Sequence, residues 1–83
     1  MAFQRLPRLQ GDTVTFRAKV PPKEIGFINS IIEGYEGIGI VRTQDERRGI
    51  IEFWILPEYI GVFERVVDDL RKDIPITFLA QEG

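Results

Sequence analysis

Apolar and polar residues alternate along 13–20. Val14, Phe16, Ala18 and Val20 alternate with Thr13, Thr15, Arg17 and Lys19. A strand with this period of two buries one face. Pro21 and Pro22 end it, because proline gives no donor to a ladder, and they suit the first turn of a helix. The period then changes. Ile25, Ile28, Ile32 and Tyr35 recur at helical spacing, Phe27 and Ile31 widen the stripe, and the helix is predicted over 23–33. Gly34 is placed to stop it in the left-handed conformation. A second strand is predicted over 38–44, a charged turn over 45–49, and a third strand over 50–56 closed by Pro57. The second helix is predicted over 58–72, with Tyr59, Phe63, Val66, Val67 and Leu70 as its apolar stripe. Glu58 at its start and Arg71-Lys72 at its end suit the helix dipole. The last strand is predicted over 74–80, where Pro75 argues for an edge.

Strand, helix, strand, strand, helix, strand is the order of an α+β sandwich. Right-handed crossovers put both helices on one face of a four-stranded antiparallel sheet, order 4-1-3-2: the ferredoxin-like βαββαβ arrangement. It would occupy 12–83, with 1–11 as an N-terminal arm. Strands 1 and 3 would be central, with Val14, Phe16 and Ala18 meeting Ile51, Phe53 and Ile55 beneath the helices. Phe16, Ile28, Phe53, Ile55, Phe63 and Val66 should be nearly buried. The open face would show Thr15, Arg17 and Lys19 beside Ile50, Glu52, Trp54 and Leu56. A face holding Ile50, Trp54 and Leu56 is too apolar to leave in water. Arg17, Ile50, Glu52, Trp54 and Leu56 are therefore expected at an interface, covered by a second copy or by the arm, and Arg17 and Glu52 should pair. Strand 2 offers a further route to association as an unpaired edge. Its own facing is ambiguous, because Ile38 and Ile40 compete with Val41 for the core.

Composition removes several functions. Eighty-three residues make one domain, and so small a core favours oligomerisation. With no cysteine and no histidine, the chain lacks thiolate metal sites and the commonest general base, and no cofactor is expected. A net charge of −2 argues against a nucleic-acid partner. Arg48-Gly49 opens the third strand as in RNA-recognition domains, but Ile50 and Glu52 stand where aromatic rings would stack on bases. Pro21 and Pro22 remove backbone donors from the strand–helix junction that a phosphate cradle needs. Ser30, the one serine, has no histidine to activate it. Asp68, Asp69 and Asp73 lack the spacing of a calcium loop and read as a solvated helix face. No apolar run is long enough to span a bilayer and the stretch from Met1 to Arg8 has no apolar signal-peptide core, so a cytoplasmic protein without a membrane partner is expected. Glu33 in the last turn of the first helix opposes the dipole. A structural tie is expected there, with Glu33 accepting a hydrogen bond from its own chain.

The run Gly26-Phe27-Ile28-Asn29-Ser30-Ile31 resembles the glycine-led opening of the first helix in ACT regulatory domains, and 62–72 is similar to their second helix. ACT domains usually carry Asp or Asn ahead of that glycine, where this chain has Pro22, Lys23 and Glu24. The resemblance implies a small-molecule site near Lys23, Glu24, Gly26 and Phe27, since the glycine would let a ligand approach closely. The run from Phe27 through Ile31, Ile32, Glu33, Gly34, Tyr35 and Glu36 to Gly37 resembles a small prokaryotic family described only as a domain of unknown function. That similarity implies the same fold and no activity. The expectation is a non-enzymatic, self-associating ACT-like regulatory or small-molecule-binding module. A protein-interaction module without a small ligand is the alternative, and an uncharacterised enzyme the third reading.

Overall fold

A computed structural model describes residues 13–35 and 37–79. The arm expected over 1–11 lies outside them, as do Glu36 and the end expected for the last strand at Ala80. The elements are β1 (Val14–Lys19), α1 (Ile25–Gly34), β2 (Gly39–Asp45), β3 (Ile50–Ile55), α2 (Ile60–Leu70) and β4 (Thr77–Leu79). The sheet is antiparallel, with the order β2-β3-β1-β4. Counted from the β4 edge its neighbours run 4-1-3-2, so β1 and β3 are central.

Both helices are entered by the same device. Pro22-Lys23-Glu24-Ile25-Gly26 and Pro57-Glu58-Tyr59-Ile60-Gly61 each begin with a single 3-10 turn, Pro22–Glu24 and Pro57–Tyr59. The Glu24 N–H donates to the Pro21 carbonyl at 2.9 Å, and the Tyr59 N–H to the Leu56 carbonyl at 2.9 Å. Proline costs nothing at these positions, because a first-turn N–H has no partner within the helix.

Helix α1 does not end as its sequence suggests. Gly34 is its last helical residue, and the left-handed glycine is Gly37, with φ 85°. The chain turns on Tyr35, whose N–H donates to the Ile32 carbonyl at 3.1 Å. The β4 strand is shorter than expected. Ile74 and Ile76 are buried in the core, but they lie in the connection ahead of it, where the Ile74 N–H donates to the Leu70 carbonyl at 2.8 Å.

The core joins sheet and helices. Ala18, Ile51, Phe53 and Ile55 meet Ile28 and Ile32 of α1 and Phe63, Val66, Val67 and Leu70 of α2. That both helices share this cluster places them on one face. Phe63 is its aromatic centre, with ring centroids 4.9 Å from Phe53 and 5.1 Å from Phe16. Phe16 is only half-buried, contrary to expectation. The β1–β4 pairing covers Arg17 to Lys19, so Phe16 lies just past its end, beside a groove between α2 and β4.

The β2–β3 hairpin closes on Gly49, at φ 75°. A Cβ there would collide with the Val20 carbonyl oxygen, so glycine is required twice over. The Val20 N–H donates to the Gly49 carbonyl at 2.8 Å, which extends the β1–β3 ladder by one pair. The facing of β2 is resolved. Val41 packs against the core opposite Phe53, Ile40 lies opposite Trp54 on the open face, and Ile38 turns inward just before the strand.

Candidate functional site

On the open face, cross-strand register sets side chains in rows. Arg42, Glu52 and Arg17 are direct neighbours across β2, β3 and β1, and Ile40, Trp54 and Thr15 form the next row. Glu52 lies between two arginines and serves two donors. Its Oε1 accepts from Trp54 Nε1 at 3.0 Å, and its Oε2 accepts from Arg17 Nη2 at 3.5 Å. The Arg42 guanidinium sits over the Trp54 ring, 5.0 Å from its centroid. The expected Arg17–Glu52 pair is therefore present, although 3.5 Å is long and the Arg17 side chain is 42% exposed, which makes it a weak contact.

The face is less apolar than the sequence implies. Ile50 and Trp54 are half-buried, and Trp54 is latched by Glu52 below and Arg42 above. Leu56 is not on this face at all, being only 1% exposed. The alternation of β3 ends at Ile55, and Leu56 heads the 3-10 turn into α2 with its N–H on the Ile38 carbonyl.

The helix side holds an open groove. A groove of about 610 Å³ runs between α1 and α2, lined by Phe27, Ile31 and Tyr35 from α1 and its end, and by Val62 and Arg65 of α2. Asp69 and Asp73 stand along its wall. Phe27 is 52% exposed and Tyr35 47%, so two aromatic rings stand in solvent beside one groove. The α1 sequence from Ile25 to Gly34 carries one charge, Glu33, and apolar side chains on more than its core stripe. A helix that is apolar beyond the face it buries has a second face to cover.

The residues assigned to a small ligand separate. Lys23 is exposed in the 3-10 turn and Glu24 is half-buried beside it. A Cβ at Gly26 would meet nothing within 4 Å, so packing does not demand glycine there. Phe27 alone of the four lines the helix groove. The opening at the β1–α1 junction is lined instead by Lys19, Pro21, Pro22, Arg48, Pro75 and Thr77. Glu33 is exposed and makes no hydrogen bond or ion pair among the described residues. The expected tie is made by backbone instead, through the Tyr35 N–H. Sequence reasoning read Tyr35 as part of the core stripe and missed the groove, because the α1–α2 contact cannot be seen from either helix alone.

Among the described residues no polar or charged residue is buried as a whole, and no three carboxylates converge where they could hold a metal ion. One side-chain oxygen, Asn29 Oδ1, is buried without a partner. No described helix is long and apolar enough to cross a membrane.

A family model described as "Domain of unknown function (DUF4911)" matches residues 18–74. No curated protein and no solved structure matches the chain.

Proposed function

The chain belongs to the DUF4911 family, and we propose that it is a non-enzymatic interaction module that receives an amphipathic, basic helix of a partner protein in the α1–α2 groove. The observation that carries the reading is the pair of exposed aromatics, Phe27 and Tyr35, beside an open groove of about 610 Å³. Large exposed rings at a groove are the usual anchors of helix-in-groove recognition. The charge of the wall chooses the partner's sign. Asp69 and Asp73 outnumber Arg65 there, and Lys72 answers only Asp69, at 3.4 Å. The ferredoxin-like, ACT-like reading of the fold belongs with this proposal, supported by the βαββαβ order and the one-sided helices.

The test uses two labelled helical peptides of equal length, one with leucine and lysine, the other with leucine and glutamate, followed by fluorescence anisotropy. The lysine peptide should bind the wild type more tightly than the glutamate peptide. Phe27→Glu should weaken it by about tenfold or more, a loss of about 1.4 kcal/mol. Equal binding of both peptides, or no effect of Phe27→Glu, overturns the reading. A melting temperature raised by free amino acids, with no peptide binding, moves the function to the small-ligand class.

A further inference from the structure

The two edges of the sheet are protected very differently. At β4 the strand has three residues, Pro75 precedes it, and Arg71 Nε donates to the Ile76 carbonyl at 3.1 Å. Short length, proline and a side chain on the backbone are the usual ways of blunting an edge. The other edge, β2, is the longest strand of the sheet at seven residues and contains no proline. Its one arginine, Arg42, is laid over Trp54 instead of standing over the edge.

The direction of the free backbone groups on β2 follows from the ladder. Antiparallel partners alternate between pairs that exchange hydrogen bonds and pairs that do not. The Leu56 N–H donates to the Ile38 carbonyl at 2.9 Å, so Ile38–Leu56 is a bonded pair. By alternation Ile40–Trp54 and Arg42–Glu52 are bonded too, and the N–H and C=O groups of Gly39, Val41 and Thr43 point away from β3. The other side of β3 agrees. Val20–Gly49 is a bonded pair towards β1, which leaves the even-numbered residues of β3 to bond β2. No backbone hydrogen bond outside the β2–β3 ladder involves 39–45 among the described residues.

We infer that this edge pairs with the β2 edge of a second copy, antiparallel and centred on Val41, to make one continuous eight-stranded sheet. A two-fold axis perpendicular to the sheet keeps each face on its own side and allows registers centred on a single residue. Centring on Arg42 would set two arginines directly opposite, which is destabilising. Centring on Ile40 would bring Thr43 against Gly37, which lies outside the strand. Centring on Val41 pairs Gly39 with Thr43 in both directions and uses every outward-pointing residue before the irregularity between Thr43 and Asp45. On the helix side Val41 then meets its own copy, and on the open face each Ile40 lies beside the partner's Arg42. The inference does not depend on what occupies the helix groove.

Thr43→Pro tests it. The Thr43 N–H points outward, so proline there removes a donor from the new edge and none from the β3 ladder. Sedimentation should show a wild-type dimer and a folded Thr43→Pro chain that associates about tenfold or more weakly. Hydrogen exchange gives a reading that does not depend on the variant's folding. The amides of Val41 and Thr43 should slow as wild-type concentration rises, while those of Ile40 and Arg42 stay protected throughout. A monomeric wild type, a folded Thr43→Pro dimer of unchanged affinity, or Val41 and Thr43 amides indifferent to concentration overturns the inference. Phe27→Glu should leave the dimer intact and Thr43→Pro should leave peptide binding intact, so the edge and the groove fail separately.

Discussion

Phe53 is fully buried, pairs with Phe16 across β1 and packs its ring 4.9 Å from Phe63. Phe53→Ala should cost about 3–5 kcal/mol in a denaturant titration, a large share of the stability of so small a domain. Gly49→Ala should also destabilise, by more than about 1 kcal/mol, because the turn holds this position at a positive φ that a Cβ disfavours and the new Cβ meets the Val20 carbonyl oxygen. Glu33 gives the opposite sign. It is exposed at the negative end of α1 and holds no partner among the described residues, so Glu33→Lys should stabilise by about 0.3–1 kcal/mol, fading with added salt. A melting temperature that falls would show that the carboxylate has a partner after all. Alternation could be read at this scale where a strand is paired and covered, as at Ala18, Ile51 and Ile55, and less well at Val14 and Phe16, which lie in β1 ahead of its pairing with β4. It failed at Leu56, one residue past the end of β3, where the backbone has already turned towards the helix. The side-chain tie that the dipole argument led one to expect at Glu33 is absent among the described residues, where the Tyr35 N–H bonds the Ile32 carbonyl instead.

Element order was legible because proline and periodicity act locally. The change from period two to helical spacing at Pro21-Pro22 marks the β1–α1 junction, and Pro57 marks the second junction in the same way. Boundaries moved where a tertiary contact decides them. Ile74 and Ile76 look like strand residues because they alternate and are buried, yet pairing begins only at Thr77. Arg71 explains part of this. Its guanidinium lies 5.2 Å from the Phe78 ring centroid, and its Nε bonds the Ile76 carbonyl, so it holds the connection against β4 where a ladder would otherwise continue. Arg71→Ala should therefore cost about 1 kcal/mol and should speed amide exchange selectively in β4. Uniform exchange across the sheet would mean that the strand holds itself.

At the scale of the molecule, the two proposed contacts use surfaces that no single element reveals. The groove exists only when α1 and α2 lie side by side, and the β2 edge is unpaired among the described residues only because β2 is outermost there. A domain whose β2 edge is shared should gain stability by mass action, because association stabilises the folded chain and not the unfolded one. Above the dissociation constant, each tenfold rise in concentration then adds roughly 0.7 kcal/mol per chain, half the dimer's share, or roughly 3–5 °C in melting temperature for a domain of this size. The wild type should show that slope across a concentration series, and Phe27→Glu should keep it, since the groove lies on the helix layer. Thr43→Pro should show that slope only from about tenfold or more higher concentration, and below that should melt at the temperature of the wild type at high dilution. That equality separates loss of association from damage to the fold. A variant that melts below the diluted wild type has lost internal structure, whereas one that merely loses the slope has lost its partner.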